Sequence, residues 1–295
     1  MANLAKILPA NVAGEWFVDS TCIDCDTCRQ IAPQVFGEAS GYSYVREQPR
    51  SAGEERAANH ALLACPTGSI GTRGPNQAKA AREDFPLHVD GDVFYCGFAS
   101  PKSFGGSSYF IRHADGNWLV DSPKFLPPLV RRLETLSGLK YIFLTHQDDV
   151  ADADRFASHF GGQRIIHRLD LESQPDAERV LEGDKPLELA PGFVAIPTPG
   201  HTAGHLVLLL ADRYLFTGDH LAWDRDDHRL IAFRNYCWHS WTEQRQSMAR
   251  LLDFRFEWVL PGHGQRVQLS AEAMRHELKD LVQRMSDKSQ VAEKD

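Results

Sequence analysis

Short apolar runs separated by Gly, Pro and Asp clusters recur along the chain and predict strands more often than helices. Val93–Cys96, Ser108–Arg112 and Trp118–Asp121 read as antiparallel strands, with turns at Gly105-Gly106 and Asp115-Gly116-Asn117. Tyr141–Thr145 reads as a buried strand ending at His146, and Arg164–His167, Phe193–Pro197 and Leu206–Leu210 as further strands. Helical periodicity is clear in Phe125–Leu136, where Leu126, Leu129, Val130 and Leu133 share a face behind Pro127-Pro128. Asp152–His159 predicts a helix stopped by Gly161-Gly162. Ser240-Trp241-Thr242-Glu243 is a capping box opening a helix to Leu252. Ser270–Met285 predicts a terminal amphipathic helix, followed by a charged tail after Ser286. Strands in two groups, each followed by helices, suggest two sheets packed face to face with helices outside.

The amino-terminal quarter has a different pattern. Trp16–Asp19 and Gly41–Val45 read as short strands, and Gly53–Ala64 as a helix that delivers Cys65. Between them lies Cys22-Ile23-Asp24-Cys25-Asp26-Thr27-Cys28. Two-residue gaps let three thiolates fold around one corner of a small cubane, and Cys65-Pro66 brings the fourth from a distance. Zinc sites use paired Cys knuckles rather than a triple run, and cytoplasmic disulfides are rare. Cys22, Cys25, Cys28 and Cys65 are therefore expected to hold an iron–sulfur cluster.

Over about residues 12–72, including Ala32-Pro33 and Phe36, the chain resembles the single-cluster bacterial ferredoxin family. That resemblance implies one cluster, and the presence of Cys25 favours a [4Fe-4S] over a three-iron form. Its expected role is to pass one electron at a time. The polar stretch after Gly71 has Gly and Pro near its start and no apolar period. The expected organisation is a ferredoxin-like domain over 1–72, a linker over 73–86 and a larger domain over 87–295.

Within the larger domain, Thr198-Pro199-Gly200-His201-Thr202 lies between two apolar strands. Leu144-Thr145-His146, Thr217-Gly218-Asp219-His220 and Pro261-Gly262-His263-Gly264 are built alike. Each sets a His or Asp just past an apolar strand, so all four could converge on one end of a sheet. A divalent metal site needs such a gathering of imidazole and carboxylate. Residues from about 90 to 285 carry these elements in order and resemble a metallo-β-lactamase-fold domain, the superfamily of binuclear hydrolases that includes glyoxalase II. The resemblance implies an α+β fold class, with the ferredoxin-like domain followed by an αββα sandwich. It carries metal binding to His201, Asp219 and His263, with Asp219 as the usual bridge between two ions.

One element departs from the family. Its first motif, His-x-His-x-Asp-His, is here His146-Gln147-Asp148-Asp149-Val150-Ala151. In one frame His146 keeps the first position and Asp148 replaces the second His. In a frame slipped by two, His146 is the second His, Asp148 keeps its Asp role and Asp149 replaces the last His. His146 and Asp148 are ligand candidates in both, which gives His146, Asp148, His201, Asp219 and His263, with Asp149 as an addition. Asp148 and Asp149 are also the candidates to orient a water or accept its proton. So many carboxylates shift preference from zinc toward iron or manganese, while the imidazoles keep zinc in play. One or two divalent ions are expected. Flavodiiron proteins, redox members of the superfamily, also place a carboxylate at the second His position. His205 and His220 read as supporting groups, Asp152 as a helix N-cap or first-turn acid, and His167, His239 and Trp241 as structural. Cys96 and Cys237 read as buried thiols.

Bulk properties narrow the partners. A formal charge of −8 over 295 residues gives no basic footprint for nucleic acid or an anionic membrane. No run approaches the ~20 apolar residues of a membrane span. The opening residues are too interrupted for a secretory signal, so a cytoplasmic location is expected. Three readings of function follow: a metallohydrolase of a small ester, lactone or thioester with a tethered electron-transfer domain; an oxidoreductase whose cluster feeds an iron in the His/Asp site; and a non-catalytic electron carrier or redox sensor. The expected partners are a small-molecule substrate and a redox partner protein, with neither nucleic acid nor membrane.

Overall fold

The computed structural model describes residues 2–286, so the charged tail lies outside the described residues. The chain divides into two compact units. One comprises the residues to Ile142 together with Ala151–Gly162, the other Phe143–Val150 together with the residues from Gln163.

In the first unit, Trp16–Val18 pairs antiparallel with Ile70–Thr72, and Phe36–Ala39 forms a hairpin with Tyr42–Val45. Ala52–Ala64 is helical because Ser51 caps it: its side chain accepts from Glu54 N, and Arg50 N donates to the Glu54 carboxylate. Trp16, Val18, Val35, Phe36, Val45, Ala58, Ala61 and Ile70 form a small core beside the cysteine loop. Residues 73–86, expected as a linker, instead carry the helical turn Ala78–Ala81 and a 3-10 turn at Arg82–Asp84. Ala81, Phe85 and Pro86 are buried there, too few positions for an apolar period to show. Leu87–Asp90, Val93–Tyr95, Tyr109–Ile111 and Trp118–Val120 follow as an antiparallel meander. Helix Pro127–Thr135 buries Leu129, Val130 and Leu133, as its periodicity predicts. Gly105-Gly106 is not a tight hairpin turn: it belongs to a longer loop that contains the 3-10 turn Pro101–Ser103.

In the second unit, Gln163–His167 runs parallel to Arg179–Leu181. A six-stranded sheet has the spatial order Leu187–Ala190, Phe193–Pro197, Leu206–Leu210, Tyr214–Gly218, Trp258–Pro261, Val267–Gln268. It is antiparallel except where Tyr214–Gly218 meets Trp258–Pro261 in parallel. Every residue of Leu206–Leu210 and Tyr214–Gly218 is buried, so these are interior strands covered on both faces, hence their unbroken apolar runs. Helices Trp241–Arg250 and Ala271–Arg284 pack Met248, Met274, Leu278 and Leu281 against Ile196, Val207, Leu209, Leu215 and Val259 of this sheet. Ser240 and Ser270 cap them through Glu243 N and Ala273 N. No helix among the described residues is long and apolar enough to cross a membrane.

Candidate metal centre and cluster site

The cysteine loop folds so that Cys22, Cys25, Cys28 and Cys65 line one pocket, with Val18, Thr27, Ser43, Pro66, Ser69 and Ile70. None of the six cysteines is in a disulfide. Asp24 N and Ser43 N both donate to Cys22 Sγ at 3.4 Å, and Ser69 N donates to Cys65 Sγ at 3.4 Å. Burial pushes the Cys25 thiol up to about 11 and that of Cys28 well above the usual range. Four thiols gathered on one pocket, with amides aimed at the sulfurs of Cys22 and Cys65, fit cluster ligation, which holds each sulfur as thiolate. Gly105 closes on this pocket. Its φ is +89°, and a Cβ there would lie 2.7 Å from Cys25 Cβ and 2.9 Å from Cys25 Sγ. Thr27 Oγ1 donates to Gly105 O at 3.2 Å.

The His/Asp site is assembled in the second unit from four strand ends. His146 follows the strand Tyr141–Phe143, is fully buried and has extended backbone before the 3-10 turn Gln147–Asp149. Thr145 Oγ1 lies 2.9 Å from His146 Nδ1, which leaves Nε2 to face the carboxylates. Nε2 is 3.9 Å from Asp148 Oδ2 and 3.6 Å from Asp219 Oδ2. His201 Nε2 approaches the same oxygens at 3.2 and 3.7 Å. His263 Nδ1 sits 2.8 Å from Asp219 Oδ1. Two ligand groups result, His146–Asp148–His201 and His146–Asp149–Asp219, each with donor atoms within 4.8 Å of one another. Glycine is required at 262, where a Cβ would meet Asp149 Oδ2 at 2.7 Å and Asp219 Oδ1 at 2.8 Å.

Electrostatics separate the three carboxylates. Asp148 is exposed, its side chain 42% accessible, and a hydrogen bond with His201 holds it below the usual carboxylate range. Burial, then the Asp219 charge, push Asp149 up to about 6. Burial also pushes Asp219 up, but His263 and His146 outweigh it and hold Asp219 well below the usual range. Burial drives His263 down, yet Asp219 and Asp149 bring it up to about 10. Both Asp149 oxygens are buried without a hydrogen-bond donor. A buried carboxylate in that condition is costly unless a cation faces it, and this donor set fits a divalent metal. His205 and His220 pack beneath, ring centroids 3.9 Å apart, and burial plus neighbouring imidazoles push both well below the usual histidine range.

Residues 18–72 match the 4Fe-4S single cluster domain of Ferredoxin I, and residues 102–263 match the metallo-beta-lactamase superfamily. The chain belongs to the metallo-beta-lactamase superfamily. Its curated relatives are distant. It is 27% identical over 116 residues to a hydroxyacylglutathione hydrolase of Salmonella arizonae and 30% over 121 residues to one of Acidiphilium cryptum. These matches cover 38% and 40% of this chain and 46% of either relative, so the chain spans about half the length of the enzymes it matches. Among solved structures, the BLEG-1 B3 metallo-beta-lactamase aligns with a TM-score of 0.50 at 18% identity, covering 66% of this chain and 100% of that one. DIM-1 metallo-beta-lactamase aligns at 0.51 and 18% identity, covering 68% and 96%. The fold class is α+β, a small ferredoxin-like region followed by a metallo-β-lactamase sandwich.

Of the residues singled out for metal binding, His146, Asp148, His201 and Asp219 fall in the two ligand groups, and His263 adjoins them through Asp219. Asp152 starts the helix Ala153–Phe160 but makes no capping bond; its carboxylate instead accepts from Lys102 Nζ at 2.8 Å and Phe125 N at 2.9 Å. Cys96 is buried, but Cys237, expected to be so, is only partly buried and donates to Gly200 O at 3.1 Å. It lies in an irregular loop, where no period signals which residues face inward.

Two contributors escaped the sequence. Asp170 is buried and accepts from Gln147 N (3.2 Å), Thr202 Oγ1 (2.5 Å) and Gly204 N (3.0 Å), bracing the turn after His146 to the loop of His201. Trp238, 62% exposed, stands 6.1 Å from the His201 ring, with Tyr236 another 6.1 Å along. Asp170 gives no local signal, since its partners are distant in sequence. The aromatics of Tyr236-Cys237-Trp238 inside a polar loop were the visible sign.

Proposed function

We propose that this chain is a metal-dependent hydrolase of a small ester, lactone or thioester, joined to a domain that carries single electrons. The observation that carries the reading is the convergence of His146, Asp148, His201, Asp149, Asp219 and His263 on one pair of adjoining sites. His146, Asp148 and His201 would hold one ion, and Asp149, Asp219 and His263 a second, with Asp219 between them. The place of Asp148 beside His146 and His201 supports the frame in which Asp148 replaces the second His, while a ligand role for Asp149 belongs to the slipped frame. A bound metal supplies Lewis acidity, lowering the pKa of water to about 7 and polarising a carbonyl oxygen. Besides facing the first ion, Asp148 is the accessible carboxylate and so the one to orient the attacking water, whereas Asp149 is buried. Trp238 and Tyr236 offer an apolar wall beside His201 for the acyl portion of a substrate. Similarity to hydroxyacylglutathione hydrolases supports ester or thioester chemistry.

The oxidoreductase reading rests on a different observation. Three carboxylates against three imidazoles form an oxygen-rich set that suits iron. Metal analysis after anaerobic purification, with and without Cys22→Ala, Cys25→Ala and Cys28→Ala, separates the two. Zinc in the centre with turnover of thioesters or lactones that survives loss of the cluster supports hydrolysis. Iron beyond the cluster's own, with no turnover on any such substrate, overturns it in favour of redox chemistry. An empty centre would leave the carrier or sensor.

A further inference from the structure

The cysteine pocket is lined by residues of the 18–72 ferredoxin match, and residues outside that match, Gly105 and Lys124, touch its lining. Pro66, which follows Cys65 and lines the pocket, has its carbonyl bonded to Lys124 Nζ at 2.6 Å. Lys124 is itself pinned, since its backbone N donates to Phe98 O at 2.9 Å, and the side chain is partly buried. Arg29, a cation that acts on Cys28, is paired with Asp24 and Asp26, each at 2.6 Å. Among the described residues Lys124 has no carboxylate in ion-pair contact, and its hydrogen bond is to a neutral carbonyl.

We infer that Lys124 sets the reduction potential of the [4Fe-4S] cluster, acting as a fixed positive charge one residue from the ligand Cys65. A cluster held by four thiolates is anionic and gains one more negative charge on reduction. A cation that does not move stabilises the reduced form more than the oxidised one, and a partly buried site screens it little. Burial holds the ammonium pKa below its usual value against the charges of Cys65 and Asp152, and an anionic cluster in the pocket would oppose that burial and favour the protonated form. Lys124 is thus a potential-setting residue, and no bond is made or broken at it. The inference rests on the cluster and not on the chemistry of the His/Asp centre, so the two can fail separately.

The test is a dye-mediated redox titration of the full-length protein, purified anaerobically, with the reduced cluster followed by its electron paramagnetic resonance signal. Lys124→Met, Lys124→Gln and Lys124→Arg are compared after cluster loading is checked by absorbance. The neutral variants should be harder to reduce by about tenfold in the equilibrium, which for one electron is about 59 mV. Lys124→Arg should stay close to the native protein. An unchanged midpoint in loaded Lys124→Met and Lys124→Gln overturns the inference. Loss of the cluster from both, with retention in Lys124→Arg, also overturns it, since Lys124 would then be a tether for the Pro66 carbonyl.

Discussion

His263 Nδ1 lies 2.8 Å from Asp219 Oδ1, while the other oxygen of Asp219 faces His146 and His201 at 3.6 and 3.7 Å. One carboxylate therefore touches ligand candidates from three strand ends. Asp219→Ala should empty both halves of the centre together and leave the iron–sulfur absorbance intact. It should also lower the stability of the metal-free protein by about 3 kcal/mol, because a largely buried ion pair loses one partner. Metal analysis and denaturant titration check this; a variant that keeps one full metal equivalent would refute the bridging role.

Asp170 accepts from Gln147 N, Thr202 Oγ1 and Gly204 N, on the two loops that carry His146 and His201. In Asp170→Asn the amide nitrogen would face at least one of these donors. We expect metal affinity at the His/Asp centre to fall about 10–100-fold, with the cluster unaffected. Competition with a chromophoric chelator measures it, and unchanged affinity would show that the two loops hold their places without the brace.

Trp238 is exposed, so its replacement should cost less than about 0.5 kcal/mol. On any thioester or lactone the protein hydrolyses, Trp238→Ala should raise KM several-fold and leave kcat near native. A fall in kcat with KM unchanged would show that the ring acts on the transition state instead of on substrate binding.

Asp152 gives a pH prediction. Burial raises its carboxyl, but Lys102, Phe125 N and Arg155 together hold it below the ordinary value of 3.8. A depressed carboxylate contributes stability that is complete above its unfolded pKa and is lost as pH falls through the lower folded one. Asp152→Asn should therefore be less stable than native near neutrality, and the difference should narrow below about pH 4. Thermal melts at pH 7 and pH 3 would decide, and a constant gap would assign the effect to packing.

Much of the fold was legible because its signals are local. Capping serines at 240 and 270, the all-apolar Leu206–Leu210 and the amphipathic Pro127–Thr135 each carry their own instruction. The edge strand Leu187–Ala190 and the hairpin Ala222–Asp224 with Arg229–Ile231 went unread, being short and only partly buried.

The sequence by itself determined the chemistry on offer: a C-x2-C-x2-C run with a distant Cys65, and His or Asp residues just beyond four apolar strands. Ligand spacing and strand-end position are properties of neighbouring residues, so they survive without coordinates. Only tertiary structure decided which carboxylate joins which imidazole, since Asp148 and Asp149 are adjacent in the chain yet fall into different ligand groups. It alone brought Asp170 beneath two loops and set Gly105 and Lys124 against the cysteine pocket. Those relationships join residues far apart in sequence, and they exist only once strand register and turn geometry have fixed where each backbone ends.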